Sequence, residues 1–298
     1  MAVTSIPAVT YRVPKRRHPV MAFIVHQPLG ALGLLVIIVM CLAAAFANLV
    51  APYDPLTLDY AQLLAPPSWS HPLGTDSYGR DVFSRIIYGA RTALAVGFLS
   101  SILGSTLGAI IGVASAYFGG RTDLVIQRIM DVLLSFPIIV LALTVVAVLG
   151  KNIILGIDIN LIIAIGVPMV PKVARVVRSS ALAIRELPYI DAARAAGFSH
   201  TRIIFRHIVP NVVAPYLIML TAFVAQAILL EASLSFLGLG VTEPTPAWGL
   251  MLSGAAIDFY QSAPWMIIFP GVAISLAVFA FNLFGDSLRD WLDPKIKL

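Results

Sequence analysis

Residues 191–210 read DAARAAGFSHTRIIFRHIVP. The stretch lies between strongly apolar segments. It nevertheless holds three arginines and two histidines, and its first seven residues include four alanines and a glycine. Pro188, just upstream, suits the first turn of a helix, where its missing N–H costs nothing. Asp191 falls in that first turn and favours the positive helix end. Ala192, Ala193, Ala195 and Ala196 are strong helix formers with almost no bulk. Gly197 then stops the helix as a left-handed cap. Ser199 is placed to cap a second helix, with Arg202 and Arg206 on one side and Ile204 and Ile208 on another. Pro210 ends that helix. The expectation is two short helices hinged at Gly197. A plain connector between helices needs only about 2–8 residues, so the alanines are better explained by another protein packing closely here.

The surroundings fix the fold class. Of 298 residues, 59% are hydrophobic and 12% charged, and the mean hydropathy is +0.92. Soluble domains carry about 25% charged residues. The apolar runs are continuous rather than alternating, which argues for helices and against a barrel. The chain reads as an all-α integral membrane protein. Its net charge of +5 then reflects basic residues on the cytosolic side, not nucleic acid. The single Cys41 lies in an apolar run and excludes a disulfide framework or a cysteine metal site within one chain. The N-terminus has a basic stretch, RVPKRRH, and an AFA at 45–47 that resembles a cleavage site. The run between them is longer than a signal core of about 7–15 residues, and reads as a retained anchor.

A span needs about 20 mainly apolar residues. Six runs qualify: 29–50, 92–118, 124–149, 152–177, 212–230 (continuing to about 240) and 262–285. Pro168 and Pro171 are expected to kink or end the fourth. Of the 20 Lys and Arg residues, 16 fall on one side of this arrangement, including Arg12, Lys15, Arg16 and Arg17, the cluster from Lys172 to Arg206, and Arg289, Lys295 and Lys297. Arg80, Arg85, Arg91 and Lys151 fall on the other. Both termini and the 191–210 stretch are therefore expected in the cytosol.

Two external pieces follow. The first, 51–91, ends in RDVFSRIIYGAR. Val82, Phe83, Ile86, Ile87 and Ala90 share one helical face there, which predicts a short helix lying on the membrane surface. The second, 240–261, has no Lys or Arg. In the second span Ser100, Gly104, Gly108, Gly112 and Ala116 stand four apart, a smooth stripe for close helix packing, within this chain or with a neighbour. Glu231 is ionisable inside the fifth span, which costs roughly 2.5–3.5 kcal/mol at a bilayer centre. It either lines a substrate path or accepts a structural hydrogen bond. Arg128 and Asp131 are three apart and are expected to pair. Asp158 reads as an interfacial or external residue.

Catalytic signatures are missing. No G-x-x-x-x-G-K-[ST] loop occurs, and LGKN at 149–152 lacks the upstream glycine. There is no H-E-x-x-H and no G-x-S-x-G, and the five histidines are scattered.

The 191–210 stretch resembles the cytosolic signature of ABC importer membrane subunits: EAA, three residues, Gly, nine residues, then I-x-L-P. Asp191, Ala192, Ala193 and Gly197 stand at the first four fixed positions, and Val209 and Pro210 at the last two. Asp191 replaces Glu, His207 stands where Ile is expected with Ile208 just after, and Val209 replaces Leu. The spacing from Gly197 to Pro210 is intact. HPLGTDSYGRDVFSRIIYGAR, EASLSFLGLG, PTPAWGLML and FNLFGDSLRDWLDPK look like the C-type subunit of the dipeptide, oligopeptide and nickel permease family. The resemblance covers nearly the whole chain after about residue 25.

It implies a type I importer permease core with six transmembrane helices. The implied organisation is a cytosolic tail (1–28), an N-terminal helix with its external loop (29–91), a five-helix core (92–285) containing a coupling segment (186–210), and a cytosolic C-terminal tail (286–298). The implied partners are a second homologous permease, two cytosolic ATPases, an external solute-binding protein and membrane lipid, in a bacterial or archaeal inner membrane. ATP and Mg belong to the ATPases, and this chain binds no cofactor. Asp191, Ala192, Ala193, Gly197, Arg202, Arg206 and Pro210 would dock on an ATPase, whose closure turns the cavity outward. The surface helix at 82–90 would touch the binding protein or only anchor its loop. Asp286, Arg289, Asp290 and Asp293 would meet an ATPase or water. Di- and oligopeptides are the leading substrate class, with nickel complexes, glutathione and opines as rivals. A gradient-driven secondary transporter would instead need acidic ion sites at broken helices, and spans one, two and six carry no charge.

Overall fold

A computed structural model describes residues 19–154 and 156–292. The tail basics Arg12, Lys15, Arg16 and Arg17, and Asp293, Lys295 and Lys297 at the other terminus, lie outside the described residues. The chain folds as α1 (Pro19–His26), α2 (Pro28–Ala45), α3 (Ala47–Val50), α4 (Val82–Phe118), α5 (Gly120–Leu134), α6 (Ile138–Leu149), a two-residue antiparallel pair β1 (Ile153–Ile154) and β2 (Ile157–Asp158), α7 (Ile159–Gly166), α8 (Val170–Arg185), α9 (Pro188–Ala195), α10 (His200–Ile203), α11 (Val209–Phe236), α12 (Trp248–Met251), α13 (Ala255–Asp258) and α14 (Trp265–Leu292). Among the described residues, five stretches are long and apolar enough to cross a membrane, or six if the bent pair α5–α6 counts as one.

Several boundaries differ from the sequence expectation. The surface helix and the second span are one 37-residue helix, α4. No proline or glycine pair interrupts it, and Asp81 caps its start by accepting from Ser84 N at 2.7 Å. Val82 and Ala90 of the expected apolar face are buried inside the protein, while Phe83, Ile86 and Ile87 of the same face stay partly exposed. The third run is not one straight span: α5 and α6 meet at 94°. Pro137 supplies no N–H and restricts the residue before it. Asp131 pairs with Arg175 of α8 rather than with Arg128.

The fourth span begins at Ile159, where Asp158 caps α7 by accepting from Asn160 N (3.0 Å) and Leu161 N (3.4 Å). Asp158 is thus a helix cap. Pro168 sits in a tight 3₁₀ turn (Val167–Met169) and Pro171 in the first turn of α8. Neither ends the span, which runs on to Arg185. Pro210 does not end a helix either. Ile204–Ile208 forms a wider π turn, which accommodates the proline ring, and the helix continues from His200 to Phe236. The last span extends to Leu292, so Asp286, Arg289 and Asp290 lie on its final turns.

The glycine stripe is the seam of the bundle. An added Cβ on Gly104 would fall 2.5 Å from Gly166 O, on Gly108 2.7 Å from Val170 O, and on Gly112 2.5 Å from Ala174 O. Those are α7–α8 backbone atoms, so the stripe's partner is in this chain. Gly33 of α2 meets the Ala280 carbonyl of α14 in the same way, at 2.6 Å. One apolar cluster lies between α4, α6, α7, α8, α9 and α11, and a second between α2, α4, α11 and α14.

Candidate functional site

The segment from Pro188 to Pro210 forms a compact corner at the end of the bundle where α4, α8 and α11 converge. Pro188 opens α9 after an extended Leu187. Asp191 and Arg194 pair at 3.0 Å on its exposed face, a contact of the kind that contributes well under about 1 kcal/mol. α9 closes in a two-bond Schellman cap: Phe198 N donates to Ala193 O (3.1 Å) and Gly197 N to Arg194 O (2.9 Å). Gly197 takes φ +75°, the left-handed conformation expected of it. Ser199 Oγ accepts from Arg202 N at 3.4 Å, the expected cap of the next helix.

Burial holds this corner on the bundle. Ile190, Ile203 and Ile208 are buried and join Val113, Tyr117, Val177 and Ala181 in the larger cluster. Each such side chain contributes about 1.5–3 kcal/mol on burial. Tyr117 Oη and His200 Nδ1 are 2.7 Å apart, which ties the second helix to the end of α4. Arg185 Nη1 donates to Ala116 O at 2.8 Å, and Arg178 Nε donates to Asp123 at 2.6 Å. Of the named residues, Asp191, Ala192, Gly197, Arg202, Arg206 and Pro210 face outward, and Ala193 faces in. A Cβ on Gly197 would meet nothing within 4 Å. Leu187, Tyr189 and Phe205 add apolar area to the outer face, with Phe205 68% exposed. The Arg202 guanidinium stacks 4.0 Å over the Phe198 ring. The corner therefore offers a firmly anchored, small-residue surface rimmed by cations and rings.

Sequence reasoning missed Tyr117, Arg185, Leu187, Tyr189 and Phe205. The last three lie in or beside the segment and were legible as apolar residues off the isoleucine face. Tyr117 and Arg185 carry no local signal, because their role depends on where α4 ends in space.

At the opposite end, Glu231 is wholly buried. Its Oε1 accepts from Ser235 Oγ at 2.7 Å, and Ser235 Oγ accepts from Val241 N at 3.0 Å. A cavity of ≈ 300 Å³ nearby is lined by Thr92, Lys151, Asp158, Thr242 and Thr245 among others, but not by Glu231. Beside it, Arg80 donates through Nε to Asp76 (2.6 Å) and through Nη1 to Glu243 (2.8 Å). Burial opposes the Arg80 charge, but the hydrogen bond to Glu243 and the charge of Asp76 outweigh it and hold the guanidinium above its ordinary value. Nothing in the sequence paired Arg80 with Glu243.

The family described as the binding-protein-dependent transport system inner membrane component matches residues 84–298. The chain belongs to that family. The family described as the N-terminal TM domain of oligopeptide transport permease C matches residues 23–67. A putative peptide transport system permease of Brucella abortus biovar 1 (strain 9-941) is 43% identical over 267 residues, covering 90% of this chain and 88% of that protein. A dipeptide transport system permease of Alkalihalophilus pseudofirmus is 44% identical, with 90% and 86% covered. A glutathione transport system permease of Escherichia coli O6:K15:H31 is 43% identical, with 91% and 88% covered. Among solved structures, a chain of the inward-facing MetNI methionine ABC transporter superposes with TM-score 0.55 at 19% identity, covering 71% of this chain and 97% of that one. That likeness establishes the fold. The chain is thus a multi-pass permease component of an ABC importer, whose ATPase activity resides in separate subunits.

Proposed function

We propose that the chain forms half of the translocation pathway of a peptide importer and that residues 186–210 are its coupling segment. The observation that carries this is the corner at Pro188–Pro210: an isoleucine-anchored pair of helices with a capped turn at Gly197 and an outward face of Asp191, Ala192, Arg202 and Arg206. A face held so firmly to α4, α8 and α11 transmits a push on the corner to the spans as one body. In this reading the corner is cytosolic, as are both termini, and two ATPases that bind ATP and Mg dock beneath it and beneath a second permease. A solute-binding protein meets the opposite end. Residues 29–91 are an N-terminal extension and 92–285 the transport core. Peptides are favoured as solutes because relatives about equally similar to this chain carry peptide, dipeptide and glutathione names. Glu231 is assigned a place beside the path, acting through Ser235 on the 240–246 connection.

The test is a mild-detergent pull-down of the tagged chain with mass spectrometry, beside Ala192→Trp and Gly197→Trp. Ala192 is exposed on a regular helix, so its variant adds bulk without backbone strain. Retrieval of an ATPase and a second permease by the wild type, with loss of the ATPase in Ala192→Trp, is the expected result. An ATPase retained in both variants removes the assigned role of the segment.

A further inference from the structure

The network opposite the coupling corner leaves one guanidinium short of partners. Arg85 is 1% exposed and, among the described residues, donates one hydrogen bond, from Nη1 to Pro55 O at 3.2 Å. Its nearest carboxylate oxygens are Asp76 Oδ2, 3.8 Å from Nε, and Glu243 Oε1, 3.5 Å from Nη2. These are ion pairs at distances too long for good hydrogen bonds. A buried guanidinium stays charged and has five donors to satisfy. Beside it lies a cavity of ≈ 180 Å³ whose polar wall includes Asp76, Arg80, Arg85, Glu243 and Ser253. One water takes roughly 30 Å³ of liquid, so the space accepts a carboxylate with its stem.

The two carboxylates already present are not equivalent. Asp76 is locked by its own turn, accepting from Tyr78 N (2.9 Å) and Arg80 N (3.0 Å), and its side chain is 9% exposed. Glu243 stands on the connection between α11 and α12, its side chain is 49% exposed, and the only groups that hold its carboxylate among the described residues are the two arginines. With Glu243 turned outward, two guanidinium groups face one carboxylate, and the site has an uncompensated positive charge. A planar two-oxygen anion matches the arginine forks better than a spherical one.

We propose that this cavity receives a carboxylate from outside the chain, which takes Arg80 and Arg85 over from Glu243. Two sources supply that chemistry: the C-terminus of a peptide solute, or an acidic side chain of a docked solute-binding protein. The exchange has a consequence within the fold. Glu243 lies between Thr242 and, beyond Pro244, Thr245, which wall the ≈ 300 Å³ cavity on the other side of the same connection. Releasing Glu243 frees that wall. The site stands on its own geometry, and only the source of the carboxylate rests on the importer reading.

The decisive variant is Glu243→Gln, because it removes the internal competitor and is expected to raise affinity, which unfolding cannot imitate. The complex would be purified with its partner subunits into lipid nanodiscs. Ligand-observed NMR would titrate N-acetyl-Ala-Ala as the free acid and as its C-terminal amide. Biolayer interferometry would titrate the peptide-free solute-binding protein. A free acid that binds about tenfold more tightly to Glu243→Gln than to wild type, with no such gain for the amide, assigns the site to the solute. A tenfold gain confined to the binding protein, and weakened by salt, assigns it to the docked partner. In either case Arg85→Lys in the Glu243→Gln background keeps the charge, loses the fork and removes most of the gain. Equal or weaker binding of both ligands to Glu243→Gln overturns the proposal and leaves a sealed strut filled by water. Peptide binding is scored whether or not an ATPase co-purifies, so this failure is distinct from failure of the importer reading.

Discussion

Gly112→Ala is the sharpest probe of the helix seam. The new Cβ would sit 2.5 Å from Ala174 O and 3.0 Å from Arg178 N, where ordinary contact begins at 3.4 Å. Both atoms are backbone, so no rotamer change relieves the clash. α4 and α8 must part locally by about 1 Å, and a gap of that size forfeits a quarter to a half of each dispersion contact it opens. Val170, Val173, Ala174 and Val177 are buried in this seam. Overpacking of this kind typically costs about 1–3 kcal/mol, which corresponds to a fall of roughly 2–10 °C in unfolding midpoint for a chain of this size. Gly271→Ala is the matched control: Gly271 is also helical, and a Cβ there meets nothing within 4 Å. It should be neutral or slightly stabilising, by up to about 1 kcal/mol from helix propensity. The assay is thermal unfolding in a fixed detergent, followed by fluorescence-detected size-exclusion. A Gly112→Ala protein as stable as wild type, or a Gly271→Ala protein equally weakened, would refute the close approach.

Three further outcomes are expected. Ile190→Ala removes a fully buried anchor of the coupling corner and should cost about 2–5 kcal/mol of local stability; hydrogen exchange should rise across 188–206 while α4 stays protected. Tyr117→Phe deletes the hydroxyl that meets His200 at a cost of about 1 kcal/mol, so the protein should stay folded while transport per ATP hydrolysed falls. Asp131→Asn should leave the unfolding midpoint unchanged, because Asp131 and Arg175 are 46% and 49% exposed and such pairs contribute about 0–1 kcal/mol.

The sequence was most legible where the information is local. Continuous apolar runs marked the spans, the Ala-rich start and Gly197 marked a capped turn, and Ser199 marked the next helix. The capped turn at Gly197 and the cap at Ser199 appear where expected, and the apolar runs found the spans but not all of their ends. Proline was the weaker signal: Pro210 was read as a stop, and Pro168 and Pro171 as a kink or a stop. Pro168, Pro171 and Pro210 all lie within continuing helices, because a 3₁₀ turn, a first helical turn and a π turn absorb the missing N–H. Pro137 was passed over, although it is the one at a 94° bend. The helix at 82–90 was read as a separate element because periodicity shows an apolar face but not that the helix runs on into the next span. Long-range polar pairs such as Arg80–Glu243 and Asp131–Arg175 had no sequence signal, since their spacing is set by tertiary packing.

The central claim is that the Pro188–Pro210 corner meets an ATPase. A photo-crosslinking residue at position 192, set against one at position 245 on the opposite end, tests it most directly in native membranes. The account predicts an ATPase adduct from 192 whose yield changes when ATP is added, and none from 245. An ATPase adduct from 245 with none from 192 would contradict both the docking surface and the orientation.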